Sequence, residues 1–198
     1  MLRVVRQACN SRWVRRFSLN CDGVAAIEFA MVAPIVLVLF LGTLEISQAL
    51  MADRRVTQIA SSSADLVAQT DALDTTEMDG IMLIVDQIIR PYDPAFMKIT
   101  VLNVAANPNN ADDVRVCWAY HHNGGTNTTV TAGSPYTLPS GFLEPGDSVV
   151  IAEVEYDYQP LVVSDLFVST LLKLEESFFL KPRRSTAVEL DGQVCTFS

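Results

Sequence analysis

The hydrophobic and polar positions of this chain fall into three regimes. From Phe29 to Leu44 the run FAMVAPIVLVLFLGTL carries no charged side chain and is bounded by Glu28 and Glu45. Its sixteen residues are short for a bilayer, which asks for about 20 apolar residues in a helix. Adding Val24, Ala25, Ala26 and Ile27 extends the stretch to 21 residues with one carboxylate, Glu28, near its start. A bare charge in hydrocarbon costs several kcal/mol, so Glu28 needs a partner, a proton or a place among the headgroups. Pro34 sits inside the run, where it removes one helical hydrogen bond that neighbours must compensate. Gly42, with Ala30, Ala33 and Ala49, offers small surfaces for close helix packing.

From Leu44 to about Ala72 the pattern becomes amphipathic. Ile46, Leu50, Val56, Ile59, Ala60, Ala64, Val67 and Ala68 recur at spacings near three and four, and no Gly or Pro interrupts them after Gly42. This predicts one helix whose first half suits lipid and whose second half packs on a folded domain. Ser61, Ser62 and Ser63 mark either a break or a close-packed contact.

The third regime is mixed. Residues 71–79 read as a short connection, with capping chemistry in Thr75-Thr76-Glu77-Met78-Asp79. A second helix is expected over Ile81–Ile89, with a strand as the alternative because of its β-branched content, ended by Arg90-Pro91-Tyr92-Asp93-Pro94. Strand alternation follows over Lys98–Val104 and Val114–Tyr120, separated by the turn-like Asn107-Pro108-Asn109-Asn110. His121 to Gly146 reads as a surface loop with one short strand at Thr128–Val130. Asp147–Tyr158 is a clear strand, with Val149, Ile151, Val154 and Tyr156, or their neighbours after a bulge, facing inward. A short helix is expected over Leu161–Leu172 and a last strand over Leu174–Leu180. The result is an α+β fold: a long N-terminal transmembrane helix extending into a domain with an antiparallel sheet. Its segments are a basic leader at 1–23, a transmembrane helix at 24–50 and an outer domain at 51–198.

Charge supplies the orientation. Residues 1–23 hold Arg3, Arg6, Arg12, Arg15 and Arg16 against Asp22, whereas residues 24–198 hold nine basic and 22 acidic residues. Basic residues before a span keep that side in the cytoplasm, which places the domain in the periplasm, with the chain single-pass in the inner membrane. The acidic exterior argues against nucleic acid as a partner, because phosphate contacts need a basic face. The leader has no apolar segment of its own, unlike a signal peptide. Arg15-Arg16 lacks the rest of a twin-arginine signal, and Leu19-Asn20-Cys21 lacks the apolar segment a lipobox needs.

Behind that leader, Gly23-Val24-Ala25-Ala26-Ile27-Glu28-Phe29-Ala30-Met31-Val32-Ala33-Pro34 resembles the processing site and hydrophobic helix of type IV pilin-like proteins, in the form found in tight-adherence (Tad, or Flp) pilus systems. In particular, it is similar to the TadE-like family of minor pilins or pseudopilins. The resemblance implies that a prepilin peptidase cuts between Gly23 and Val24. It makes Glu28 the assembly glutamate, fifth in the mature chain, followed by Phe29 and the helix proline Pro34. The implied partners are that peptidase, other pilin-like subunits, the inner-membrane assembly platform and membrane lipid, and the implied role is assembly or initiation of adhesive pili. The Val116-Cys117-Trp118 strand, Pro182-Arg183 and the cysteine near the C-terminus match the family pattern less specifically.

If that topology holds, Cys9 and Cys21 are cytoplasmic and only Cys117 and Cys195 reach an oxidising compartment, which leaves one pairing outside. The competing reading is two buried thiols. Enzymatic chemistry finds little support: His121 and His122 are adjacent in the expected loop without companion ligands, and no phosphate loop or nucleophile elbow is present. No catalytic, cofactor or metal site is expected. The alternative function is an uncleaved, single-span, membrane-anchored periplasmic binding protein.

Overall fold

The computed structural model describes residues 24–126, 130–139, 141–160 and 172–197. Helix α1 (Val24–Ala68) contains Pro34 and passes through all three serines without a break. Ser63 is fully buried, and its hydroxyl donates to the carbonyl of Ile59 at 2.8 Å, so the serine run is a close contact. The chain divides at Leu44/Glu45 into two units.

The second unit is built on a four-stranded antiparallel sheet. Its strands are β2 (Met97–Asn107), β3 (Asn110–His122), β4 (Ser148–Tyr158) and β5 (Leu172–Leu180), in the order β3-β2-β4-β5. A two-residue strand β1 (Ala72–Leu73) precedes helix α2 (Thr75–Ile88) and pairs in parallel with β6 (Glu189–Leu190). The fold is therefore α+β, with a long N-terminal apolar helix and an antiparallel sheet, as the sequence pattern predicts.

Helix α2 begins earlier than expected, because Asp74 caps it. The Asp74 carboxylate accepts from the Glu77 amide at 2.7 Å, and Glu77 accepts from the Asp74 amide at 3.1 Å. This reciprocal box satisfies two otherwise unpaired donors and fixes the first turn inside what reads as a connection. At the other end, the Arg55 guanidinium donates to the Ile88 carbonyl at 2.7 Å, tying α2 to α1.

Both faces of the sheet are covered. On one, Ala52, Val56, Ile59, Ala60 and Ala64 of α1 and Met78, Met82 and Val85 of α2 join Ile99, Val101, Trp118, Val150, Ala152, Val154 and Tyr156 in one core. On the other, Leu102, Val104, Val116, Val149 and Ile151 pack with Val130 and Leu143 of the β3–β4 connection. The expected inward set of β4 therefore splits: Val154 and Tyr156 face the helices, but Val149 and Ile151 face the connection. The β2–β4 register runs without a shift from Met97↔Tyr156 to Ala105↔Ser148, so no bulge in β4 reconciles the set.

The bulge lies in β3 instead. Asn103 pairs with Trp118 and Val104 with Val116, leaving Cys117 as the extra residue. A bulge rotates neighbouring side chains relative to strict alternation, and here the consecutive Cys117 and Trp118 join the same core. Both hold the C-terminal segment. Cys117 is disulfide-bonded to Cys195 with Cα atoms 4.3 Å apart, and the Trp118 indole donates to the Val188 carbonyl at 2.6 Å.

His121 and His122 belong to the end of β3, not to the following loop. Asn123, Gly124 and Gly125 take positive φ and make the turn. Gly125 also packs closely: a Cβ there would lie 2.5 Å from the His121 ring. The expected strand at Thr128–Val130 and helix at Leu161–Leu172 fall mainly on residues 127–129 and 161–171, outside the described residues. Leu172 itself opens β5.

Candidate functional site

The first unit has no core of its own among its described residues. An 18-residue window of α1 has a mean hydropathy of 2.6, and none of it is buried. Phe29 is 72% exposed, and Ile35, Leu37, Leu39 and Phe40 are also exposed. Pro34 and Gly42 are the only helix breakers in this stretch, and its other apolar residues carry it as continuous helix. The same composition makes it unsuited to water on every side. At about 1.5 Å per residue, Val24–Leu44 extends about 31 Å, matching a hydrocarbon core of about 30 Å. A single-pass membrane anchor is what such a helix suggests.

The residues singled out from sequence lie at its start. Gly23 falls outside the described residues, and Val24 is the first helical residue described. Glu28 and Phe29 are both exposed, one turn later, and Pro34 is accommodated in continuous helix. A Cβ added to Gly42 would meet nothing within 4 Å, so its small size is not used for packing inside this chain.

Where the second unit begins, three tyrosines form a cluster. Tyr92 meets Tyr156 and Tyr158 edge to face, with ring centroids 6.3 and 6.1 Å away. The Tyr158 hydroxyl donates to the Glu45 carboxylate at 3.0 Å, and the Tyr92 hydroxyl to the Gln48 carbonyl at 2.9 Å. Burial, then the hydrogen bond to Glu45, pushes the Tyr158 phenol well above its usual range, so it remains a neutral donor. Burial also raises Tyr92, against the opposing charge of Arg55. The alternation Tyr156-Asp157-Tyr158 was the available sequence signal: in a strand it places both rings on one face.

Elsewhere the polar groups pair structurally. His121 lies 3.1 Å from the Thr100 hydroxyl on the outer face of the sheet, whereas His122 lies 3.1 Å from Asp86 of α2, on the helix side. The two rings thus do not converge. Glu153 accepts from Tyr136 at 2.9 Å and from Thr126 at 3.0 Å. Glu155 bridges Lys98 at 3.2 Å and Lys173 at 3.0 Å. Thr126, Glu153, Glu155 and Lys173 line a hollow of about 210 Å³ with Glu175, Glu176 and Ser177. Among the described residues, no three His, Cys, Asp or Glu side chains are arranged to hold a metal ion.

Residues 23–65 match the family model for TadE-like protein, a match that begins at Gly23 and ends within α1. The resemblance carried by Gly23, Glu28, Phe29 and Pro34 therefore extends along the helix, and the N-terminal part of this chain is similar to that family. No curated relative and no solved structure matches the chain.

Proposed function

We propose that this TadE-like chain is a minor pilin or pseudopilin that supports assembly or initiation of tight-adherence pili for surface adhesion. The observation that carries the reading is the family match beginning at Gly23, on a helix whose apolar side chains face outward from its first turn. In this reading the basic leader stays in the cytoplasm, residues 24–50 anchor the chain in the inner membrane, and residues 51–198 form the periplasmic domain. A prepilin peptidase removes residues 1–23. Cleavage creates a new amine at Val24, four residues before Glu28, and positions four apart share a helix face. That amine, or the equivalent one on a neighbouring pilin-like subunit, neutralises the Glu28 carboxylate in lipid and couples processing to assembly. Phe29 and Pro34 shape the helix surface offered to those subunits and to the assembly platform.

Intact-mass measurement of the protein extracted from a pilus-forming host tests the reading. The expected mature chain starts at Val24, and Gly23→Ala retains the leader. A full leader on wild-type protein, in the presence of active peptidase, sinks the proposal and favours the uncleaved anchored binding protein. Glu28→Ala is expected to leave insertion and processing intact while reducing both co-purification with pilin-like partners and surface fibre number. Wild-type values for both would make Glu28 merely an interfacial acid.

A further inference from the structure

We infer that the Cys117–Cys195 disulfide is an exchange site, opened and closed through Cys195 by a dithiol–disulfide oxidoreductase, and that Asn103 is the positioning residue that favours the release of Cys117. Asn103 is fully buried in the middle of β2. It lies between Val101 and Ala105 on its own face of the strand and pairs with Trp118 and Val150, all four in the helix-side core. An amide in such surroundings costs free energy unless both its ends find partners. Its Oδ1 faces Cys117 Sγ at 3.0 Å, and its Nδ2 has no hydrogen-bond partner among the described residues. The other buried polar side chains described there, Ser63, Thr100, Ser148 and Glu155, are all hydrogen-bonded.

A buried polar group left unmet in this way calls for a reason, and a redox role is one. The sulfur of a disulfide carries no proton, so in the closed form Cys117 gives Oδ1 nothing to accept. Once the bond opens, the Cys117 thiol has a proton and donates it to Oδ1. Turning the amide over aims Nδ2 at the same sulfur, a weak acceptor in a disulfide and a strong one as a departing thiolate. In either orientation Asn103 interacts better with the opened Cys117 than with the bonded one.

The two sulfurs also differ in access. Cys117 is 4% exposed at the β3 bulge, whereas Cys195 is half-buried in the tail between exposed Val194 and Thr196. The attacking thiolate in an exchange approaches in line with the bond it breaks, so attack on Cys195 comes from the surface and attack on Cys117 from within the core. A thiolate of the oxidoreductase bonds to Cys195 Sγ, the Cys117–Cys195 bond breaks, and its electron pair leaves on Cys117 Sγ, which takes a proton from solvent. The second thiolate of the oxidoreductase then attacks the mixed disulfide at its own sulfur, and Cys195 departs as a thiolate and is protonated. This chain gains two electrons and two protons, and the dithiol partner is oxidised to its disulfide; closure is the reverse. Opening frees the residues around Cys195 while β6 stays paired with β1 and Trp118 keeps its bond to Val188, so the tail is loosened at its end and not shed.

The test uses the full chain in detergent micelles, with Cys9→Ser and Cys21→Ser keeping other thiols out of the reaction. The protein is equilibrated in glutathione buffers, and the dithiol fraction is counted by alkylation and mass. Asn103→Leu keeps the size of the side chain and removes the amide, and the equilibrium constant for forming the disulfide is expected to rise about five-fold, the worth of one hydrogen bond. Asn103→Ala, with less bulk, is expected to move it in the same direction. An unchanged or lowered constant overturns the role of Asn103. A merely structural defect has the opposite sign, since a loosened fold makes the disulfide easier to reduce. Entry is tested with Asn103 intact: oxidised glutathione should modify Cys195 in Cys117→Ser about ten-fold faster than Cys117 in Cys195→Ser. Equal rates, or faster reaction at Cys117, overturn entry through Cys195.

Discussion

Phe40 and Trp118 are both large aromatic side chains, yet Phe40 is exposed on α1 and Trp118 is fully buried beneath the C-terminal segment. The contrast extends to the regions around them. Up to Leu44 apolar side chains point away from the chain in every direction, whereas after Glu45 they converge on two cores, one on each face of a sheet. Similar residues therefore obey different solvents. In the first region nothing within the described chain removes the side chains from water, so a bilayer or other helices must. In the second, burial is internal and supplies the stability of the fold.

The largest test of this contrast is a pair of truncations. Trp118→Ala is expected to destabilise the domain by about 3–5 kcal/mol through cavity formation and loss of the indole hydrogen bond. Phe40→Ala should leave the domain's calorimetric transition unchanged. A shift of comparable size in both would show that the two regions share one cooperative core. Next in size is the disulfide. Cys195→Ser frees the ends of a loop with a sequence separation of 78 and should lower urea stability by about 2–4 kcal/mol, without altering leader removal. Changed processing would link the C-terminal segment to the membrane region.

The smallest effect is electrostatic. Burial alone would raise the Glu155 pKa, but hydrogen bonds from Lys173 and Lys98 outweigh it and hold the carboxyl below its ordinary 4.5. A folded-state pKa below the unfolded one stabilises the fold fully above the unfolded value, and the gain disappears as pH falls through the folded value. Glu155→Gln should therefore cost about 1 kcal/mol or less at neutral pH, because both lysines are substantially solvated. The difference from wild type should shrink below pH 4.5. A deficit that persists unchanged into acid would show that the glutamate acts by shape instead of charge.

The apolar helix and the antiparallel strands were legible because each has a period long enough to recur. What stayed hidden depends on contacts between distant residues. Val149 and Ile151 alternate away from Val154 and Tyr156, but with a second core on the outer face every β4 position up to Ala152 is buried, so alternation does not reveal which way each points. The strands β1 and β6 are two residues each, too short for any periodic signal. His121 and His122 precede two glycines and read as loop, yet pairing with Thr100 and Ile99 keeps them in β3. At the candidate site, Gly23, Glu28, Phe29 and Pro34 could be picked out because they form one contiguous motif. The Tyr158–Glu45 bond joins residues 113 apart, and no local pattern announces it.

The pairing of β1 with β6 joins the beginning of the domain to its end. The Thr75 amide donates to Asp191 at 3.1 Å, and Arg183 donates its amide to the Ala68 carbonyl at 2.9 Å. The end of α1 and the start of α2 are thus completed by residues made more than a hundred positions later. A ribosome adding roughly 5–20 residues per second delivers them several seconds after α1 has emerged. Throughout that interval Leu73 lacks Leu190, its partner in β6. A chain truncated before Glu189 lacks β6, the Asp191 contact to Thr75 and the Cys117–Cys195 disulfide, which together clasp the tail to the rest of the domain.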